Sequence, residues 1–480
     1  MKYFFKVLFS LIVIFLVLSC KNQNESASTA PETTAGVNFD DPWKQADAIV
    51  ESIKIPIFRD EVFNVLDYGA SADGSKSSDD AFKKAIEACS NAGGGKVFVP
   101  AGVYHTGPIH LKSNINLHLE EGAEVKFSTS HQDYLPVVHT SYEGMEFMNY
   151  SPLIYAYKQK NIAVTGKGTF NGQAGNENWW PWSGKDVYGY KEGDVKQHDT
   201  HNLPRLSEMV EKGTPVEERI FGEGHQFRPT FFEPFECENV LIEGVTFINA
   251  PFWVMHPIKS SNITVKDVSV ISHGPNNDGC NPEYSQNVHI TGCLFDTGDD
   301  CIAIKSGRDN DGRRVGISSE NIVVENCTMK DGHGGVVMGS EISGGVRNVY
   351  VRNNTMNSPN LDRAIRIKTN TRRGGTIENI FVKDLKVGQV KEAVLKINTH
   401  YGIYANQEGG HMPVIRNILL ENVEVENGGE YGVLILGREQ SPVSNVKLKN
   451  VNIKNVEVPL RVEHADDIIF ENTTINGKEY

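Results

Sequence analysis

The chain has 480 residues and a formal net charge of −14, long enough for one large domain or two to three ordinary ones. Its apolar and aromatic content is that of a soluble globular protein, and its acidity excludes bulk-charge affinity for nucleic acid or an anionic membrane. Gly and Asn are plentiful and long helical patterns are scarce, which predicts β-structure with many turns.

The first twenty residues, "MKYFFKVLFSLIVIFLVLSC", place Lys2 and Lys6 before an apolar core and end in Leu18-Ser19-Cys20. This is the form of a secretory signal. Small residues leading directly into a cysteine resemble a bacterial lipobox, which makes Cys20 the lipidated first residue of the mature chain. A transmembrane anchor is the alternative, and the apolar core is short for a span. The expectation is an exported, membrane-anchored lipoprotein, periplasmic or on the cell surface, that touches the membrane only through its lipid. Residues 21–40 are polar and rich in Ser, Thr, Ala and Pro, the composition of a flexible tether. Residues 41–480 read as a single domain.

Within the block from Phe63 to Val125, residues Ser78 to Asn91 are amphipathic, with Ala81, Phe82, Ala85, Ile86 and Cys89 on one face. Ser77 or Ser78 is the candidate N-cap. A short helix here caps the open end of a stacked β-structure, which otherwise exposes unpaired strand edges.

From Asn161 onward one phrase recurs: "NIAVTGKGTFNG", "NVLIEGVTFINA", "NITVKDVSVISH", "NVHITGCLFDTG", "NIVVENCTMKDG", and further copies at Asn348, Asn379, Asn417, Asn445 and Asp467. Each copy is two short alternating runs separated by Asn, Gly or Asp. Spacings are mostly 22 to 38 residues, a period that means stacked single units. Strand content without helix predicts an all-β, right-handed parallel β-helix, in which each coil buries its apolar positions against the coils above and below. A propeller needs a more even period, and the Leu frame of leucine-rich repeats is absent. The Asn at each bend predicts a stacked hydrogen-bonding ladder.

One segment breaks the rhythm. Asn171 to Glu236 is a long insertion holding three of the five tryptophans, and a loop of this length in a compact fold is usually functional. Trp179, Trp180 and Trp182 either stack on a sugar ring or form the small core of the insertion. The cysteines after Cys20 show no metal-binding spacing. They are either partly paired or buried as free thiols.

The residues that carry chemistry sit on the repeats. Asp278, the pair Asp299-Asp300, His333, and Arg366 with Lys368 are each about one coil apart, so they can line one face of a solenoid whose coils are about 4.8 Å apart. Arg366 and Lys368, at i and i+2, share a strand face. Adjacent Asp299 and Asp300 both reach that face only if the chain bends, which Gly298 suits. Taken singly, Asp278 is an ordinary turn residue and His333 a turn histidine between glycines; the conjunction is what points to a site. Basic residues also concentrate in these windows: Lys305, Arg308, Arg313, Arg314, Arg363, Arg366, Lys368, Arg372 and Arg373.

Four motifs in order, Asn276-Asn277-Asp278, Gly298-Asp299-Asp300-Cys301, Gly332-His333-Gly334 and Arg366-Ile367-Lys368, resemble those of glycoside hydrolase family 28, the polygalacturonases and their relatives. The similarity extends to "PFWVMHP" at Pro251–Pro257 and to the Phe63–Val125 block. The resemblance implies a right-handed parallel β-helix and inverting hydrolysis of α-1,4 bonds between galacturonates. It implies Asp299 as general acid, Asp278 and Asp300 as the carboxylates that activate water, and His333 as a partner that keeps the acid protonated. It implies Arg366, Lys368 and Asn276 as substrate contacts, the two cations at the leaving-group side of the cut. Inversion needs acid and base about 6.5–9.5 Å apart, and three clustered carboxylates raise the pKa of one of them. The expected partner is a pectic polysaccharide or oligogalacturonide. No cofactor, no metal, no nucleic acid and a monomeric state are expected.

Three alternatives stay open on sequence. A pectate lyase shares the solenoid but needs calcium-binding acids and a base, not an acid pair. A non-catalytic glycan-binding solenoid needs no intact Asp278, Asp299 and Asp300. A rhamnogalacturonan or substituted-galacturonan hydrolase tends to lack the Gly-His-Gly and Arg-x-Lys motifs, and both are present. The long insertion, and "GGVVMGSEISGGV" after His333, resemble exo-acting members of the family.

Overall fold

The computed structural model describes residues 41–402 and 408–480; Cys20 and the 21–40 tether lie outside them. The recurring phrase becomes a parallel ladder. Ile162, Val240, Ile263, Val288, Ile322, Val349, Ile380, Ile418 and Val446 are register partners on successive coils. Two residues on, Val164, Ile242, Val265, Ile290, Val324, Val351, Val382, Leu420 and Leu448 form a second row, and both rows are fully or almost fully buried. Period-two alternation thus becomes columns of like aliphatic side chains inside a right-handed parallel β-helix.

The asparagine that opens each phrase adopts a left-handed backbone, from φ 54° at Asn161 to φ 60° at Asn417, a conformation Asn tolerates better than most residues. Its side chain then bonds the asparagine of the previous coil. Nδ2 of Asn239 donates to Oδ1 of Asn161 at 2.8 Å, Asn262 to Asn239 at 3.1 Å, Asn348 to Asn321 at 3.1 Å and Asn417 to Asn379 at 2.9 Å. The expected ladder exists.

Two helices flank the coils. Helix α1 (Pro42–Ser52) was not foreseen; Trp43 meets the ring of Tyr350 edge-on and Asp47 pairs with Arg352. Helix α2 (Asp79–Asn91) is the predicted capping helix and buries Ala81, Phe82, Ala85, Ile86 and Cys89. Ser78 is at its N-cap position, yet Ser77 supplies the hydroxyl that accepts the Asp79 N–H, at 3.2 Å. Cys89, Cys237, Cys280, Cys293, Cys301 and Cys327 are all free and buried, which decides for thiols packed as small hydrophobes.

The insertion does not stand alone. It packs a helix, Leu203–Glu211, and Phe221 and Phe227 against a hairpin of the antiparallel strands Val138–Tyr142 and Met145–Asn149. That hairpin is bolted to the coils by polar contacts. The Thr140 hydroxyl donates to Glu233 at 2.8 Å, the Glu146 N–H to Asp311 at 2.7 Å, and the Arg308 N–H to the Gly144 carbonyl at 2.9 Å.

Candidate active site

The cleft opens on the stacked strands 302–304, 336–339 and 363–368 and on the turns that lead into them. The turns carry the acids in equivalent places. The Gly279 N–H donates to the Asp300 carbonyl at 3.0 Å, the Cys301 N–H to the Gly334 carbonyl at 2.8 Å and the His333 N–H to the Asp299 carbonyl at 3.0 Å. Asp278 therefore neighbours Asp300 across one coil step, and Asp299 neighbours His333. The bend that lets both members of the acid pair face the cleft is made at Gly298, where a Cβ would lie 2.4 Å from the Gly274 carbonyl oxygen; any side chain would force the turn apart.

The side chains meet accordingly. His333 Nδ1 lies 3.0 Å from Asp299 Oδ1. Asp278 accepts from Asn281 Nδ2 at 2.7 Å and lies 3.6 Å from Lys305 Nζ, which itself bonds Glu341 at 3.0 Å. Lys368 Nζ is 2.6 Å from Asp300 Oδ2 and Arg366 is 3.5 Å from Oδ1 of the same carboxylate. Gly339, the register partner of Lys368 on the preceding coil, admits no side chain: a Cβ there would lie 2.1 Å from the Lys368 carbonyl oxygen and 3.0 Å from Lys368 Cγ. Asn276, with φ 56°, accepts from Arg228 at 2.8 Å. The predicted Asn276, Asp278, Asp299, Asp300, His333, Arg366 and Lys368 all line one cleft of ≈ 420 Å³, together with Trp253 and Tyr401.

Comparison with known proteins follows the same lines. The family model described as "Glycosyl hydrolases family 28" matches residues 218–477, and one described as "Rhamnogalacturonase A/epimerase, pectate lyase-like" matches residues 62–182. The crystal structure of a hyperthermoactive exopolygalacturonase from Thermotoga maritima is 45% identical, with a TM-score of 0.88, and the match covers 92% of this chain and 97% of that one. This chain belongs to glycosyl hydrolases family 28. A probable polygalacturonase of Vitis vinifera is 28% identical over 405 residues, 81% of this chain and 74% of that protein. An exo-poly-α-D-galacturonosidase of Dickeya chrysanthemi is 26% identical over 453 residues, 87% of this chain and 71% of that protein.

An inverting glycosidase needs one protonated carboxyl, and the surroundings push the cleft acids in opposite directions. Asp278 is raised well above the carboxylate range, first by burial and then by Asp299. Burial, the largest single influence, pushes Asp299 the same way, but the charge and hydrogen bond of His333 together with Lys368 and Lys305 outweigh it, and the carboxyl is held well down. His333 is raised to about 8 by the charge and hydrogen bond of Asp299. The resting pair is thus imidazolium and carboxylate. This departs from the expectation that His333 keeps Asp299 protonated: at rest the histidine favours the ionised acid, because a charged donor stabilises the charged acceptor.

The expected cluster of cations divides. Lys305, Arg308, Arg363, Arg366, Lys368 and Arg373 line the cleft. Arg313, Arg314 and Arg372 do not; Arg313 bonds the carbonyls of Arg372 and Arg373, Arg314 bonds Asp311, and Arg372 pairs with Asp309. The tryptophans of the insertion likewise lie outside the lining. Trp179 and Trp182 are core, packed against His131 and Tyr150, and the Trp180 Nε1–H donates to the Ala250 carbonyl at 2.9 Å. That favours the small-core alternative. What the insertion does bring to the cleft is Lys185, Gln197 and His198, and the hairpin brings Glu143. Among the described residues one group could hold a metal ion, His273, Asp296 and Asp331, and it lies outside the cleft lining.

Sequence reasoning missed Glu143, Glu341, Trp253 and Tyr401 as cleft residues. Lys305 was noticed only as one basic residue among many. Trp253 carries Lys305 Nζ 4.5 Å from its ring centroid, and Tyr401 sits 5.4 Å from both Arg366 and Lys368, so each supports cations with an aromatic face. The "PFWVMHP" phrase was the available signal for Trp253.

Proposed function

We propose that this chain is an exo-acting polygalacturonase that hydrolyses α-1,4-galacturonosyl linkages of homogalacturonan with inversion. The observation that carries the substrate reading is a local one: an acidic protein with a cleft floored by Lys305, Arg308, Arg363, Arg366, Lys368 and Arg373 meets a polyanion only there. The Thermotoga and Dickeya relatives, an exopolygalacturonase and an exo-poly-α-D-galacturonosidase, support the same substrate and the same exo mode.

The geometry supports the following roles. Arg366 and Lys368 receive the carboxylate of the unit on the leaving-group side, Arg366 with several donors in a fixed fork and Lys368 as a point charge. Asn276 shapes the other wall of the cleft. Asp299 is the general acid. Its proton comes from His333: shifting one proton along the 3.0 Å Nδ1–Oδ1 bond converts imidazolium and carboxylate into neutral imidazole and neutral acid. A substrate that covers the half-exposed His333 and expels water favours that neutral form. Asp299 then gives its proton to the glycosidic oxygen as the C1–O bond breaks. Asp278 and Asp300 hold the attacking water, and Asp300 takes the proton the water releases. The new bond forms on the opposite face of C1, so configuration inverts.

The exo mode rests on the hairpin and insertion, which add Glu143, Lys185, Gln197 and His198 to the cleft lining and come in beside Asn276 through Gln197 and Arg228. Chromatography of early polygalacturonate digests tests it. A single mono- or disaccharide product from the first minutes is expected, with the β-anomer first by NMR; a broad early ladder overturns the exo mode, and no released sugar overturns the substrate.

We also propose export with lipid attachment at Cys20, on the strength of the Leu18-Ser19-Cys20 sequence after a charged and apolar leader. Labelled fatty acid should enter the wild-type protein and not Cys20→Ala, and wild-type protein without label removes the proposal.

A further inference from the structure

We infer that Glu143, at the tip of the Val138–Asn149 hairpin, recognises the free 4-hydroxyl of the non-reducing terminal galacturonate and so selects chain ends. The inference rests on the exo-polygalacturonase reading and adds to it the residue that reads the terminus.

Chain direction comes first. With Arg366 and Lys368 on the leaving-group side, the unit whose C1 is attacked lies on the other side of the acids. That side holds Asn276, and the hairpin tip adjoins it: Tyr142, next to Glu143, bonds Gln197, and Arg228 joins Gln197 to Asn276. The terminal unit therefore sits between Asp299 and the hairpin tip, and its 4-hydroxyl, the atom farthest along the chain from its C1, points at the tip.

Glu143 is held for this. Its side chain is only 10% exposed and its Oε2 accepts from Arg308 at 2.7 Å. Its backbone has φ 46°, a left-handed conformation uncommon for a residue with a long side chain, and such strain persists where surrounding structure fixes it. The fixings are present on both sides. Tyr142 donates its hydroxyl to Gln197 at 2.6 Å and stacks on Phe252 at 4.4 Å, and the Gly144 carbonyl receives the Arg308 N–H. Gly144 admits no side chain, because a Cβ would lie 2.7 Å from the Arg308 nitrogen.

The chemistry then discriminates. A carboxylate only accepts hydrogen bonds. It suits a terminal unit, whose O4 carries a proton. Every internal unit has a glycosidic O4 with no proton to give, and the next unit along would bring its own carboxylate against Glu143. Meanwhile Lys305, Arg308 and Arg373 also line the cleft, tied together through Asp309 and Glu341, and offer the terminal unit's carboxylate its counter-charge. One anion facing a hydroxyl and several cations facing a carboxylate specify a single, terminal galacturonate.

Oligomers made by a lyase test this, because their non-reducing end carries a 4,5-double bond and no 4-hydroxyl. Saturated trigalacturonate and its 4,5-unsaturated counterpart are compared by kcat/KM in wild type, Glu143→Gln and Glu143→Ala. Wild type should prefer the saturated trimer by at least about tenfold, as a site built around a hydroxyl rejects the analogue lacking it. Glu143→Gln keeps an acceptor and should retain most of that preference. Glu143→Ala should lose activity on the saturated trimer alone, bringing the two rates within about threefold. Equal wild-type rates on both trimers, or an Ala variant slowed equally on both, overturns the inference. If Glu143→Ala is misfolded by circular dichroism, the wild-type and Gln preferences decide it. A wild-type enzyme inert on the saturated trimer refutes the underlying polygalacturonase reading, a different result from equal rates on both.

Discussion

Lys305 Nζ lies 3.6 Å from Asp278 Oδ2, and both side chains are buried. The same ammonium bonds Glu341 at 3.0 Å, so one cation serves a cleft carboxylate and a supporting one. Lys305→Met removes that charge and leaves buried Glu341 and Asp278 without their shared ammonium partner. Breaking one partner of a buried pair costs about 3–5 kcal/mol. The thermal midpoint should fall by several degrees, and adding Glu341→Gln should restore part of the loss by removing the stranded charge. An unchanged midpoint in the single variant contradicts the network.

His333 should set the alkaline limit of the enzyme. Its imidazolium is held to about 8 by Asp299, so the pair keeps its proton below that value and loses it as pH rises through it. The free-enzyme profile, kcat/KM against pH, should fall above about 8. Fold stability gained from this pair should be present below the ordinary imidazole range and fade over the same rise. His333→Gln removes the titrating group, and its profile should lack that limb; a limb that survives belongs to another residue.

Asp299→Asn preserves shape and removes the transferable proton. General acids contribute about 10²–10⁴ in rate, so turnover should drop by that much while oligogalacturonide binding, measured calorimetrically, stays within about threefold. Activity near wild type would move the acid role elsewhere, with Asp278, whose burial raises it well above the carboxylate range, as the first place to look.

Shortening the hairpin between Val138 and Asn149 to a tight turn should open the cleft. The early digest of polygalacturonate should then change from one product to a mixed series, with a faster fall in viscosity per bond cut. The hairpin's aromatic cluster with Phe221 and Phe227 will lose partners, so gel filtration of the variant comes before the digest. A folded variant that still releases one product removes the hairpin from the exo device.

Much of this arrangement was legible in the chain because it is periodic. The Asn that opens each phrase, the paired aliphatic columns and helix α2 all follow from local spacing. Asp278, the Asp299-Asp300 pair and His333 fall together because they occupy the same turn on successive coils. The remainder depends on contacts with no local signature. Glu143 meets Arg308 across 165 residues and Ser141 meets Glu283 across 142, and no spacing rule reaches that far. The proton's resting place was misjudged for a related reason: repulsion among three acids predicts that one is raised, but burial and the positions of His333, Lys305 and Lys368 choose which.

The asparagine ladder has a consequence for how this molecule can change. Its rungs are separated by 23 residues at Asn239–Asn262, 27 at Asn321–Asn348, 34 at Asn287–Asn321 and 38 at Asn379–Asn417, yet every rung has nearly the same length. The chain between two rungs is therefore counted by the scaffold at its ends only. Corners are free to lengthen into walls, lids or binding tips, as the Asn171–Glu236 insertion has done, while a single residue added within a phrase would turn the following strand's aliphatic side outward. The solenoid acts as a rack with fixed pegs and interchangeable shelves, and new substrate ranges are most readily built by exchanging whole corners between pegs.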